Sequence, residues 1–145
     1  MDISPIESVD LPALADLYQQ LIPNKISISK MKLVLEKNKN NSNHLVLGAK
    51  IDGKLVGTLL SSIGEMLFGQ CKSFMVIEDV VVDRAHRRKR IGNALMRYVE
   101  DFSKQNNCSY IMLITDRERI GPQQFYKSLG YDTDGYCAFK KKIKL

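Results

Sequence analysis

The chain has 145 residues, 44% hydrophobic and 26% charged, with a net charge of +6. That size suits a single domain over residues 1–145 that buries its own core without metals or disulfides. No apolar run approaches the ~20 residues that span a bilayer, and Met1–Val9, which holds Asp2, Pro5 and Glu7, is no basic-then-apolar leader, so a cytoplasmic protein without membrane contact is expected.

In chain order, Ile3–Ile6 predicts a short strand. Asp10 is a good N-cap with Pro12 in the turn after it, and Leu14, Leu17, Tyr18 and Leu21 recur at helical spacing until Pro23. A shorter helix is expected over Ser29–Lys37 with Met31, Val34 and Leu35 facing inward, followed by a polar, mobile loop to Asn43. His44–Ile51 and Leu55–Ser62 flank Asp52-Gly53, a hairpin signal because both turn residues accept positive φ. Lys72–Asp83 reads as a long strand buried on both faces. Ile91, Ala94, Leu95, Tyr98, Val99 and Phe102 mark an amphipathic helix ending near Asn106-Asn107. Ser109–Thr115 is a further strand. Pro122–Leu129 is a short helix with Gly130 as its cap, and Tyr131–Ile143 closes with one or two strands. The order gives an α/β fold, a mixed sheet flanked by helices, with a right-handed parallel crossover between Lys72 and Thr115.

Cys71, Cys108 and Cys137 lack paired spacing, and only His44 and His86 stand beside them, so neither a disulfide framework nor a metal site is expected. Cys108 and Cys137 lie in apolar, strand-like stretches and read as buried thiols. Basic charge gathers at Lys25–Lys39, Arg84–Arg90 and Lys140–Lys144. The first reads as a solvated face and the last as a solvated strand edge. The middle cluster coincides with a helix start, where unpaired amides and the positive dipole end attract anions, phosphates above all. A nucleic-acid patch is the competing reading of the same charge.

Two motifs resemble one family. Arg87-Arg-Lys-Arg-Ile-Gly92 resembles the acyl-CoA pyrophosphate loop of the GNAT superfamily of N-acetyltransferases: Arg or Gln, two residues, Gly, one residue, Gly or Ala. Gln124-Phe-Tyr-Lys-Ser-Leu-Gly-Tyr131 resembles that family's second signature. The likeness covers nearly the whole chain and implies a GNAT-type fold, acetyl-CoA as cosubstrate, no metal and no nucleic-acid partner. This chain departs from the family at Arg88 and Arg90, where Gly is usual. Positive φ at position 90 would cost a non-glycine residue about 1 kcal/mol. Arg119 and Pro122 stand approximately where Asn and Ala often precede Phe-Tyr, so that Asn's contact to pantetheine has no evident counterpart.

The resemblance implies a bulge near Asp79-Val80 that leaves Val80, Val81 and Val82 to pair with the pantetheine amides. It implies a nest of backbone amides from Arg88, Lys89, Arg90, Ile91, Gly92 and Asn93, with side-chain contacts from Arg87 and Lys89. Tyr126 takes the family's acid position, against the departing thiolate and so in contact with the cofactor. Glu78 is the candidate base, its pKa raised by desolvation, and Asp79 competes for that role. Both are candidate substrate contacts, and a water chain with no side-chain base is the alternative. The string Ile77-Glu-Asp-Val-Val-Val82 looks like the strand of the glucosamine-6-phosphate subgroup, so the acceptor reads as a primary amine, an amino sugar phosphate among them. Peptide acetylation and a non-catalytic acyl-CoA or nucleic-acid module remain as alternatives. Homodimers are common in the family, but no interface is legible here.

Overall fold

Apolar residues in alternation build five strands into one sheet of order β1-β2-β3-β4-β5: β1 Asp2–Pro5, β2 His44–Ile51, β3 Lys54–Glu65, β4 Ser73–Val82 and β5 Cys108–Leu113. The computed structural model describes residues 1–145, in two units: Met1–Leu113, which holds the whole sheet, and Ile114–Leu145. β1 to β4 pair antiparallel, and β5 runs parallel to β4 through the crossover helix. The β2–β3 turn has Asp52 at φ 49° and Gly53 at φ 76°, the doubly left-handed geometry that the Asp-Gly pair predicts.

α1 (Leu11–Leu21) and α2 (Ile28–Asn38) precede β2, and α3 (Ile91–Gln105) joins β4 to β5. α1 buries Leu11, Leu14, Ala15 and Leu17. With Ile6, Leu11 and Leu14 form a cluster on which Val46 and Leu55 of the sheet pack. α3 buries Ile91, Leu95, Met96 and Val99 on the opposite face, over Gly57. A Cβ built on Gly57 would lie 2.9 Å from Ile91 Cγ2, so glycine there lets the start of α3 sit directly on β3. No helix is long and apolar enough to cross a membrane.

Several expectations need correction. Asp10 does not cap α1 with its side chain. Its carboxylate accepts the Glu7 amide at 2.9 Å, capping the short helical turn Ser8–Asp10 that precedes α1, and pairs with Lys50 Nζ at 2.8 Å, so this buried polar group is satisfied by one local and one tertiary partner. β4 is not buried on both faces. Met75, Ile77 and Val81 are buried, while Glu78 and Asp79 are both exposed. α2 buries none of its residues. It packs on α1 and makes little contact with the sheet; Met31 and Leu35 only edge onto the Ile6 cluster, and Val34 stays exposed.

In the second unit, α4 (Ile120–Ser128) ends at Gly130, φ 89°, whose amide reaches Lys127 O at 3.0 Å. The strands expected over Tyr131–Ile143 do not form. Asp132–Tyr136 turns on itself instead, with the Asp134 amide on Asp132 Oδ1 at 2.7 Å. A strand needs a ladder partner, and an apolar pattern without one specifies nothing. Lys140–Lys144 is therefore not a strand edge. Cys137 is exposed and Cys108 half-buried, against the expectation of two buried thiols.

Candidate functional site

The register of β3 against β4 pairs Leu60 with Glu78 and Thr58 with Val81, so Leu59 alone faces the two residues Asp79 and Val80. This is the bulge that the family resemblance implied. Asp79 takes φ 54°, the left-handed conformation that aspartate tolerates better than most residues. Strand alternation then fails for one step. Glu78 leaves the sheet on the face of its partner Leu60, and Asp79 does not swing to the other side. It lines the same cavity as Leu60.

The β4–β5 ladder runs from Ser73 opposite Cys108 to Ile77 opposite Leu113 and stops there with the end of β5. Past Asp79, Val81 and Val82 pair with Thr58 and Gly57 of β3, Val80 is the second residue of the bulge, and none of the three has a β5 residue on the other side. No β5 residue covers this short length of strand edge, on which the Val82 carbonyl accepts from Arg87 Nε.

The basic turn follows directly. Asp83 fixes it from below. Its carboxylate meets His86 Nδ1 at 2.7 Å and accepts the Ala85 amide at 3.4 Å and Gln20 Nε2 at 3.2 Å. Gln20 Oε1 in turn accepts the Arg84 amide at 3.0 Å, which ties the turn to the end of α1. The His86 hydrogen bond is the main cause that holds the Asp83 carboxyl below the usual carboxylate range. His86 is thus a half-buried partner rather than a free surface group. Arg87 is extended and donates from Nε to Val82 O at 3.4 Å, while Arg88 (φ 61°) and Arg90 (φ 60°) are both left-handed. The curl that glycines usually make is made here by arginines, at about 1 kcal/mol or more apiece. Arg90 is the N-cap of α3, contributes no side-chain cap, and no acidic residue follows in the first turn. The first helix-closing bond is Ala94 N–H to Arg90 O at 3.0 Å, so the amides of Ile91, Gly92 and Asn93 precede any obligatory partner. Arg87, Arg88, Lys89 and Arg90 are exposed around them. The arrangement offers amides, dipole and cations to an anion.

Below α2 lies a cavity of about 620 Å³. Leu11, Leu14, Val46 and Leu60 floor it, and Met31, Val34 and Leu35 of α2 roof it. Its polar members are Tyr18, Lys25, Ser27, Lys30, His44 and Asp79. Asp79 as a residue reaches solvent, yet burial of its carboxyl holds the pKa above the usual range. The Tyr18 hydroxyl is pushed up to about 12, first by burial and then by the Asp79 charge beside it. Tyr18 therefore stays a proton donor, and Asp79 is the carboxylate whose proton is easiest to keep. Glu78 is solvent-exposed and does not line the cavity. Of the two acids weighed from sequence, the cavity holds Asp79. Tyr18, Lys25, Lys30 and His44 escaped sequence reasoning. Tyr18 lay on an apolar stripe, and Lys25 and Lys30 lay in a run read as a wet face. A polar-tipped residue on that stripe was the one available signal.

In the second unit, Tyr126 is half-buried on α4, 5.2 Å between ring centroids from Phe125 and 6.1 Å edge-on from Tyr131. Burial raises its hydroxyl pKa, and Arg119 partly offsets this.

The Acetyltransferase (GNAT) family model matches residues 11–131. A proposed acetyltransferase of Agrobacterium tumefaciens str. C58 is 25% identical with a TM-score of 0.90, over 99% of this chain and 100% of that one. The glucosamine-6-phosphate N-acetyltransferase of Arabidopsis thaliana is 22% identical with a TM-score of 0.86, over 99% and 98%. A glucosamine 6-phosphate N-acetyltransferase of Candida albicans is 26% identical over 83 residues, which is 57% of this chain and 54% of that protein. The chain thus matches about half the length of that curated relative.

Proposed function

The chain belongs to the GNAT acetyltransferase family, and on that footing we propose that it transfers an acetyl group from acetyl-CoA to a primary amine held in the cavity under α2. The observation that carries this is the left-handed bulge at Asp79. That backbone step turns a carboxylate into the cavity at the point where the end of β5 leaves the β4 edge open to a pantetheine chain. Val80, Val81 and Val82 offer the edge, and the amides from Arg88 to Asn93 offer the diphosphate cradle, reinforced by Arg87 and Lys89. Acetyl-CoA supplies an acyl carbon activated as a thioester. Asp79, directly or through water, takes the proton that the ammonium must lose before its nitrogen can attack. An N–C bond forms and the C–S bond breaks, and the second proton the nitrogen then sheds balances the one given to the departing sulfur. The proton for the departing sulfur is assigned to Tyr126, a role that rests on the Phe-Tyr motif and on a hydroxyl kept protonated by burial.

Walls on two sides, α2 and the sheet, suit a small acceptor. Glucosamine 6-phosphate is the acceptor that two relatives' names offer, and Lys25 and Lys30 suit its phosphate. The test is release of free thiol from acetyl-CoA with a panel of amines. Amine-dependent release that Asp79→Asn depresses supports the proposal. Tight acetyl-CoA binding with no amine-dependent release from any acceptor class would remove it.

A further inference from the structure

The lining of the cavity says more about the acceptor than the family does. α2 carries three apolar side chains, Met31, Val34 and Leu35, on its cavity side, and none of them is fully buried by the protein itself. Val34 is 53% exposed. A helix of eleven residues whose apolar face meets open volume is short of a hydrocarbon partner. The opposite wall, Leu11, Leu14, Val46 and Leu60, is equally apolar. A polyhydroxylated body placed between these two walls would leave the hydroxyls that face them without partners, at a cost of ~1–3 kcal/mol for each buried group, and the polar lining of Tyr18, His44 and the two lysines serves only its rim. Ser27 Oγ is already engaged with Ser29 Oγ at 3.0 Å and with the Lys30 amide at 3.4 Å. The charged groups are Asp79, Lys25 and Lys30. Together they carry a net +1, which opposes a polycation, and they offer a carboxylate to an ammonium and lysines to an anion.

We infer that the acceptor is a primary amine with a hydrocarbon body and a single anionic group, the chemistry of a hydrophobic amino acid, with the ammonium at Asp79, the carbon body between α2 and the sheet, and the anion toward Lys25 and Lys30. This inference rests on the acetyl-transfer reading and narrows its substrate. It sets the cavity's chemistry against the amino sugar phosphate that the relatives suggest.

The test uses the full chain with saturating acetyl-CoA and thiol release as readout. The acceptors are phenylalanine, leucine, phenethylamine, glucosamine 6-phosphate and spermidine. Phenylalanine and leucine are expected to exceed glucosamine 6-phosphate and spermidine in kcat/KM by about tenfold or more, the scale on which a pocket discriminates by one methylene or by a hydroxyl left unpaired. Phenethylamine, which lacks the anion, should fall between. Two variants sharpen the assignment. Val34→Asn sits on an exposed helix face, so the fold tolerates it. It should raise KM for phenylalanine several-fold more than it raises that for glucosamine 6-phosphate, whereas equal effects on both would count against a hydrocarbon body under α2. Lys30→Gln should raise KM for phenylalanine but not for phenethylamine, whereas a purely structural lysine would shift both alike. Glucosamine 6-phosphate or spermidine as the best acceptor overturns the inference and leaves acetyl transfer standing. Bound acetyl-CoA with no amine acetylated overturns both.

Discussion

The double substitution Arg88→Gly/Arg90→Gly separates what the basic turn costs from what it does. Both residues hold φ near +60°, where a side chain costs ~1–2 kcal/mol and glycine nothing. Glycine returns part of that gain through the freer unfolded chain, ~0.5–1 kcal/mol per site. At the middle of both ranges the net is a stabilisation of about 0.75 kcal/mol per site, or ~1.5 kcal/mol for both if they add. At roughly 2–4 °C per kcal/mol for a chain of this size, Tm should rise by about 3–6 °C in a thermal scan. The same change removes two cations from the cradle. Acetyl-CoA affinity by calorimetry should fall several-fold at low salt, and the gap should narrow at 0.5 M salt as screening shortens the reach of the arginines. The control Arg88→Lys/Arg90→Lys keeps strain and charge and should move neither quantity far. A variant that melts higher and binds acetyl-CoA as well as the parent would refute the idea that the strained arginines serve the phosphates. A variant that melts no higher would refute the strain itself.

Asp79→Asn keeps a residue that accepts positive φ and removes only the charge. Loss of a base should lower kcat by about 10²–10⁴, while Glu78→Gln should change it little; the reverse order would return the role to Glu78. Because burial raises the Asp79 pKa above 3.8, the folded state binds more protons than the unfolded one just above that value, and stability falls as pH rises from 3.8 through the folded pKa. Asp79→Asn should therefore be the more stable protein at pH 7, with the advantage vanishing below pH ~3.8 in denaturation curves. Tyr126→Phe should depress turnover and spare acetyl-CoA affinity; equal loss of both would make Tyr126 a binding residue only. Gly57→Ala places a methyl against the stiff, β-branched Ile91 at the start of α3, and should cost ~1–3 kcal/mol in urea unfolding and weaken acetyl-CoA binding. Ser61 Oγ is buried without a hydrogen-bond partner, so Ser61→Ala should match or exceed the parent in stability.

Elements whose cause is local were legible in the sequence. The Asp-Gly hairpin, α3 with its strong 3.6-residue stripe and the Gly130 cap each follow from a few neighbouring residues, and each stands where the pattern put it. The basic turn was legible as a helix start with unpartnered amides, because helix-start physics depends on nothing distant. Features that depend on tertiary partners were not. Asp10 reads as the cap of α1, but its carboxylate goes to the preceding turn and to Lys50. The tail after Gly130 has a strand's apolar content and no ladder to join. α2 has an amphipathic pattern that predicts burial, but whether the space beneath it is filled by protein or left for a ligand is not written in its own periodicity. The choice between Glu78 and Asp79 turned on one backbone step at the bulge, which reverses the facing that strand alternation would assign.

The central claim is that the β4 edge past Asp79 and the start of α3 hold acetyl-CoA. Amide-resolved NMR during titration with the coenzyme tests it most directly. The account predicts that the largest shifts fall on the amides of Val80–Val82 and Arg88–Asn93, the latter protected from exchange. Saturable binding whose shifts lie elsewhere, with those amides unmoved, would contradict it.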